Sequence, residues 1–215
     1  MDRKSLGAFV LVSGWGSSST LGYALIMQCF PHNAEAMRDA LIISELGAGV
    51  PLFLLAIPFA MYFGREHADR RDMLASVAEF FRSPMFIALV LGIAFSFLKL
   101  PSQNIVVKTI YSLLGIIGNS VEIFAAFAVG LMLQKIPFRH LLPPIAALFC
   151  INLIAEPLIA LGGAHLFGLS QLEDEVLVIE AAMPAGAIAA VVAARYGCNG
   201  RLASALVIAM YVLSL

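Results

Sequence analysis

The stretch 14–22 (GWGSSSTLG) contains three glycines and four hydroxyl residues in nine positions. This composition is unfavourable inside a helix, and irregular backbone at membrane depth is tolerated only where it is enclosed by protein or lines a cavity. The pattern predicts an unwound segment whose amides, carbonyls and hydroxyls bind a solute. A small-residue seam for close helix packing is the alternative. The candidate ligands here are Gly16, Ser17, Ser18, Ser19, Thr20 and Gly22.

A second interruption is found at 180–186 (EAAMPAG). Pro184 has no N–H, so the carbonyl of Glu180, four residues earlier, is expected to lose its helical donor. A carboxylate, a free carbonyl and a flexible break suit the binding of a cation or a polar solute. An ordinary proline kink, with Glu180 paired to a neighbour, is the alternative. The candidate ligands here are Glu180, Met183, Pro184, Ala185 and Gly186.

Other polar residues interrupt the apolar sequence and are candidates for supporting roles. Asn152 and Glu156 are four residues apart, so on a helix the Asn152 amide can donate to the Glu156 carboxyl. This pair fits either a proton-coupling carboxyl or a hydrogen bond that supports helix packing. Three further residues are expected to make interior polar contacts: Glu45, Asn119 and Glu122.

The remaining reactive residue types do not form a metal or cofactor motif. The three cysteines are widely spaced and no two histidines have metal-ligand spacing, so we predict neither a metal nor a cofactor. An intramembrane serine hydrolase would need one of the serines at 17–19 with His165 as the base. However, the serines are expected in mid-span and His165 near the outer membrane edge. We therefore predict that the protein is not an enzyme.

The elements that position these residues follow from the composition. Apolar residues make up 61% of the 215 residues, charged residues only 13%, and the mean hydropathy is +0.94. Such a chain is expected to be an all-α polytopic membrane protein, which excludes a soluble enzyme and a disordered chain. The net charge of −1 gives no basic excess for a nucleic-acid partner.

Seven apolar runs predict about seven transmembrane helices; they lie at 7–30, 37–63, 84–99, 104–133, 137–163, 175–195 and 201–215. The fourth run is too long for a simple span, so it is expected to tilt steeply or to break at Gly115, Gly118 or Asn119. The last run is short, which suggests a span that is incomplete or held by a partner. Between the second and third runs, 73–81 predicts either an amphipathic surface helix or a solvated linker helix.

The basic residues predict the orientation. With a cytoplasmic N-terminus, ten of the 13 Lys and Arg residues fall on the cytoplasmic side and three on the outer side. The two interrupted segments then lie in the first and sixth spans and cross the membrane in opposite directions. Interrupted helices at corresponding positions of antiparallel halves are typical of an inverted-repeat secondary transporter.

Four motifs resemble the auxin efflux carrier (AEC) family of membrane transport proteins. The segments 180–184 (EAAMP) and 191–197 (VVAARYG) resemble its penultimate helix, in which a Met-Pro break precedes an "A-x-x-Y-G" ending. The segment 83–92 is similar to its sixth helix, "P-x-x-x-A-x-x-x-G", and 118–133 to the following helix with its "G-x-x-L" close. The serine-rich segment 17–25 resembles its fourth helix, "N-T-x-F-L-G-x-P-L".

The resemblance implies ten helices in two inverted five-helix repeats, similar to the bile acid sodium symporter fold, with two discontinuous helices that cross. The chain would then lack the first three helices, with 1–63 as the remnant of the first repeat, 64–83 as a cytoplasmic linker and 84–215 as the second repeat. The implied solute site lies at the crossing, at 17–24 and 183–187. Three residues depart from the family pattern there: Ser17 and Ile188 replace asparagines, and Ala24 replaces a proline.

The implied function is alternating-access export of a small organic anion, such as an auxin-like solute or a dicarboxylate, across the plasma (inner) membrane. A proton or sodium is the candidate coupling ion. Besides the lipid bilayer, the expected partner is a second copy of the chain or another helical protein. The alternative is a truncated, non-transporting fragment or an interaction module.

Overall fold

The computed structural model describes residues 1–64, 81–82, 84–97, 105–132 and 138–214. Within these ranges the regular structure is helical, apart from one isolated bridge between Gly16 and Ala185. The predicted all-α class is therefore confirmed for the described residues. All of the predicted surface helix at 73–81 except its last residue, and nearly all of the linker, lie outside them.

Eleven α-helices and four π-helical segments are described. The α-helices are α1 (Arg3–Gly14), α2 (Tyr23–Cys29), α3 (Ala34–Ile42), α4 (Ile57–Gly64), α5 (Pro84–Phe97), α6 (Ile105–Met132), α7 (Phe138–Cys150), α8 (Glu156–Phe167), α9 (Gln171–Ala181), α10 (Ala187–Arg195) and α11 (Gly200–Ser214). The π-helical segments are Ser18–Gly22, Ile43–Gly49, Leu52–Ala56 and Ile151–Ala155.

Local sequence signals set several helix ends. The side chain of Asn33 accepts hydrogen bonds from two backbone N–H groups in the first turn of α3. At the start of α9, Ser170 and Glu173 form a reciprocal capping box. Gly168 ends α8 with a φ of 64°, a left-handed conformation that favours glycine.

Among the described residues, two hydrophobic clusters lie on either side of the interrupted segments. The larger contains buried residues of α1, α4, α10 and α11, including Leu11 and Leu206. The smaller joins α2, α3 and α9 through Ile26, Ala40 and Val176. Each interrupted helix therefore contributes one half to each cluster, and the interruptions lie where the clusters meet.

The start of α1 and the end of α10 meet at one end of the larger cluster. The backbone N–H of Asn199 donates to the Lys4 carbonyl at 3.1 Å, and the Asn199 amide donates to the Ser5 hydroxyl at 2.9 Å. A Cβ at Gly64 would collide with the backbone of Tyr196, so only glycine fits this contact. The two interrupted helices thus run in opposite directions past each other.

In the part of the chain that the structure describes, two helical runs are long and apolar enough to cross a bilayer, judged by length and composition: Ala34–Gly64 with 31 residues and Leu141–Phe167 with 27. The helix α6 continues without a break through all of its 28 residues, a length of about 42 Å. The break considered at Gly115, Gly118 or Asn119 is therefore absent, and steep tilting is the remaining way to fit this helix into a bilayer.

Candidate functional site

The two interrupted segments touch through their main chains. The N–H of Ser17 donates to the Pro184 carbonyl at 2.7 Å, and the N–H of Gly186 donates to the Trp15 carbonyl at 2.8 Å. These bonds form the antiparallel bridge between Gly16 and Ala185. The structure thus brings together two stretches that are separated by about 170 residues in the sequence. We call this contact the crossing.

The crossing requires a glycine on at least one side. A Cβ at Gly186 would lie 2.9 Å from the carbonyl oxygen of Gly16, closer than real Cβ contacts allow, and the obstacle is backbone. A Cβ at Gly16 would lie 3.2 Å from the Met183 carbonyl oxygen, which is tight. The glycines therefore allow the two backbones to approach closely enough to pair.

The interruption at Pro184 is a break between two helices, but it differs in detail from the prediction. The helix α9 ends at Ala181, and the N–H of Met183 reaches the Glu180 carbonyl at 3.4 Å. The prediction of a free carbonyl at Glu180 is therefore wrong, because the chain turns after the helix end and supplies another donor. The carbonyl that becomes available is that of Pro184, and it is used by Ser17 at the crossing.

A polar wall joins the π-helical segments Ser18–Gly22 and Ile43–Gly49 beside the crossing. The hydroxyls of Ser18 and Ser44 are 2.9 Å apart, and the Tyr23 hydroxyl donates to Glu45 Oε1 at 3.0 Å. The Trp15 indole N–H donates to the carbonyl of Ala48 at 3.3 Å. Because π-helical turns leave backbone groups outside the regular ladder, such segments are frequent at functional sites.

A cavity of about 470 Å³ lies between the crossing, the polar wall and α6. Its volume is within the range of small-molecule sites. Its lining residues are Trp15, Gly16, Ser17, Ser18, Ser19, Tyr23, Ser44, Glu45, Ala48, Gly49, Leu52, Gly115, Gly118, Gly186, Ala187, Ile188 and Ala189. The lining combines hydroxyl and carboxyl side chains with glycines and apolar side chains.

The predicted ligands divide into two groups. Those that line the cavity are Gly16, Ser17, Ser18, Ser19 and Gly186, joined by Glu45, which was expected to have only a supporting role. Those outside the lining are Thr20, which is exposed, and the buried residues Gly22, Glu180, Met183, Pro184 and Ala185. The serine-rich stretch therefore predicted more of the cavity lining than the Met-Pro segment did.

Several lining residues were missed by the sequence reasoning. Trp15 lies within the serine-rich stretch, and Ser44 is adjacent to Glu45. Both could therefore have been predicted as sequence neighbours of candidate residues. Gly115 and Gly118, which were considered as break points of α6, instead leave open space: a Cβ at either position would contact nothing within 4 Å. Only the folded arrangement reveals that this space belongs to the cavity.

Glu180 lies behind the crossing rather than in the cavity. Its side chain is 5% exposed, and neither carboxyl oxygen has a hydrogen-bond partner among the described residues. It packs against Gly22, where a Cβ would lie 2.6 Å from Glu180 Oε2. The carboxyl therefore occupies the space that a side chain at position 22 would fill.

Asn152 supports the end of α1 immediately before its interruption. Its fully buried amide donates to the Ser13 carbonyl at 3.1 Å and, as the four-residue spacing predicts, to Glu156 Oε2 at 3.3 Å. In a continuous helix the N–H of Ser17 would serve the Ser13 carbonyl. That N–H instead bonds to Pro184, so Asn152 supplies the missing donor.

The remaining candidates are two residues of α6 and the pair considered for a serine hydrolase. Asn119 and Glu122 belong to α6, but their side chains lie outside the described part of the structure. Ser17 and His165 were considered together for a serine hydrolase. The hydroxyl of Ser17 accepts a hydrogen bond from Tyr211 at 3.1 Å, and His165 lies in the last turn of α8. Within the described ranges, no three His, Cys, Asp or Glu residues are grouped so that they could hold a metal ion.

Residues 38–215 match a family described as membrane transport protein. The chain belongs to this family. It is the auxin efflux carrier family that the motifs resemble, and it is a transporter family rather than an enzyme family. Together with its apolar helices, this membership identifies an integral membrane protein with a role in transport. No curated protein and no solved structure matches the sequence.

The family match includes most of the cavity of this membrane transport protein. It contains Ser44 and Glu45 on the polar wall, the α6 glycines, and the Pro184 side of the crossing. The serine-rich side of the crossing lies before the matched region. The family match therefore contains the Pro184 segment but not the serine-rich segment. The main-chain hydrogen bonds of the crossing connect the two segments.

Proposed function

We propose that the protein is a secondary carrier that exports a small organic anion by alternating access, with the solute bound in the cavity beside the crossing. The observation that carries this proposal is the pair of main-chain hydrogen bonds between Ser17 and Pro184 and between Gly186 and Trp15, with a cavity next to them. Transporters of many folds bind solutes where helices are interrupted near the bilayer midplane.

The helix ends at the crossing supply positive electrostatic potential. The helical run 18–29 and the nine-residue α10 both begin there, and each helix N-terminus is equivalent to roughly +0.5 charge. Two carbonyl groups near these helix ends carry partial negative charge, but both already accept hydrogen bonds. The Trp15 carbonyl accepts from the Gly186 N–H, and the Ser13 carbonyl accepts from the Asn152 amide. The two N-termini and the wall hydroxyls therefore suit one carboxylate.

The two hydrophobic clusters provide a basis for alternating access. Each interrupted helix belongs to both clusters, so rocking of one cluster against the other would pivot at the crossing and open the cavity to alternate sides. We assign the coupling ion, a proton or sodium, to the region of Glu180, because a buried carboxyl without a hydrogen-bond partner is costly unless it binds a cation.

The proposal includes a protein partner, either a second copy or another helical chain. Thr20 is exposed although it lies within a predicted membrane span. A polar group left facing hydrocarbon is costly, so a partner that covers it would stabilise the protein. We place the assembly in the plasma (inner) membrane with a cytoplasmic N-terminus, and retain the division into 1–63, 64–83 and 84–215.

A pair of glycine substitutions tests the proposed site in proteoliposomes. Gly186→Ala places a methyl group against the Gly16 carbonyl and should abolish saturable organic-anion flux, because the crossing can no longer pair. Gly163→Ala is the matched control, since a Cβ there meets nothing within 4 Å. Normal flux by Gly186→Ala would contradict the proposal. Absence of flux with the unmodified chain would favour a non-transporting module instead.

A further inference from the structure

The charge of the cavity lining is unusual for a site that binds an anion. Glu45 is the one formally charged side chain among the described lining residues, and Lys, Arg and His do not occur there. An anionic solute must therefore bind beside a carboxylate without help from a cationic side chain. This restricts the number of negative charges that the solute can carry.

The Glu45 carboxylate is held in place at the cavity wall. Its Oε1 accepts the hydrogen bond from the Tyr23 hydroxyl at 3.0 Å. Its Oε2 lies near Gly49, where a Cβ would be 3.5 Å away, and Gly49 itself lines the cavity. Because Glu45 itself belongs to the lining, a solute in the cavity can contact its carboxylate.

The positive potential that the crossing offers to a solute is limited. The positive ends of two helices offset roughly one carboxylate of a solute. A second solute carboxylate would have no such partner and would meet like charge.

We propose that Glu45 is the specificity-determining residue of the cavity: it selects organic anions that carry one carboxylate and an N–H or O–H donor, and it rejects dicarboxylates. This inference rests on the proposed function, because it assumes that the solute carboxylate binds at the crossing. The donor of the solute hydrogen-bonds to Glu45, whereas a second carboxylate in the same position is repelled.

The protein contains its own reporter for the test. Trp15 is the only tryptophan in the sequence, it lines the cavity, and its indole N–H bonds to the wall at Ala48. Solute binding should therefore change its fluorescence. The full chain in lipid nanodiscs is titrated at neutral pH with succinamate and succinate, which have nearly the same shape but carry one and two negative charges.

The expected result is a preference that depends on Glu45. The unmodified chain should bind succinamate at least about tenfold more tightly than succinate, which corresponds to about 1.4 kcal/mol. Glu45→Gln should reduce this ratio to within about threefold, mainly through tighter succinate binding. Tyr23→Phe, which keeps the ring but releases Glu45, should reduce the ratio partially. Glu35→Gln removes a carboxylate outside the cavity lining and should leave the ratio unchanged.

The outcomes separate this inference from the proposed function. If both ligands bind and the unmodified chain does not prefer succinamate, or if Glu45→Gln keeps the preference, the role of Glu45 is wrong while a carboxylate site remains. If neither ligand changes Trp15 fluorescence in any variant whose circular dichroism shows a folded helical protein, the proposed solute site is wrong and this inference fails with it.

Discussion

Asn152 is expected to be required for transport because it holds the end of α1 next to the crossing. Asn152→Leu keeps most of the side-chain volume but removes the hydrogen bonds to the Ser13 carbonyl and to Glu156. Hydrogen bonds between side chains in membrane proteins contribute on average about 0.6 kcal/mol each and at most about 1.7. The loss of two bonds therefore predicts a destabilisation of roughly 1–3 kcal/mol.

The expected functional effect is larger than the stability effect. Without Asn152, the Ser13 carbonyl has lost both its helical donor and its replacement, so the interrupted segment can move away from Pro184. We expect flux per folded molecule to fall at least about tenfold, equivalent to about 1.4 kcal/mol. The solute concentration for half-maximal flux should rise as well, because Ser17 and Ser18 line the cavity.

The assay combines unfolding in mixed detergent micelles with flux into proteoliposomes at equal amounts of folded protein. Asn33→Ala is the matched control: it removes the N-cap of α3, and the loss of such a cap costs about 1 kcal/mol. That variant should be destabilised but should transport normally. If Asn152→Leu and Asn33→Ala lose stability equally and transport equally well, Asn152 has only a structural role and our reasoning is refuted.

Three further predictions concern other parts of the chain. Gly22→Ala should destabilise the protein by about 1 kcal/mol, the low end for overpacking, because the buried Glu180 carboxyl at the end of its side chain must move aside. Gly47→Ala, where a Cβ meets nothing within 4 Å, should not destabilise it, and equal unfolding curves would exclude the tight contact. Accepting the Ser170 N–H at 2.8 Å lowers the pKa of Glu173 below its usual value, so its stabilisation of α9 is present at neutral pH and is lost as the pH falls through that lowered pKa. Glu173→Gln should therefore show a weaker decrease of Tm between neutral and acidic pH, and identical slopes would argue against the cap. A cysteine at position 170 in a Cys-free background should react with an impermeant reagent from outside only, and labelling from the cytoplasm alone would reverse the orientation.

The interruptions could be predicted from the sequence because their causes are local. Three glycines and three consecutive serines disfavour a helix at 14–22, and proline removes a donor at 184. The predicted stretches were longer than the breaks, because Ser18–Gly22 is already π-helical and α9 continues to Ala181. The sequence could not predict which backbone groups are left without a helical hydrogen bond. The chain turns after α9 and provides a new donor for the Glu180 carbonyl.

The partners of the interrupted segments could not be predicted, because they come from distant parts of the chain. Asn152 reaches a carbonyl 139 residues earlier, and the Ser18 hydroxyl pairs with Ser44, 26 residues later. Periodicity and composition report on neighbours within a few positions. Gly115 and Gly118 show the same limit: their lack of side chains was visible in the sequence, but its result was a cavity wall rather than a helix break.

The crossing is built from main-chain atoms, and this has a consequence for how the protein can diversify. The bonds between Ser17 and Pro184 and between Gly186 and Trp15 use only N–H and carbonyl groups, which every residue except proline possesses. Side chains at Ser44, Glu45 and Ile188 can therefore change without altering the contact that joins the two segments. Single substitutions on the cavity wall can therefore give new solute preferences, and selection can act on each of them while the crossing stays unchanged.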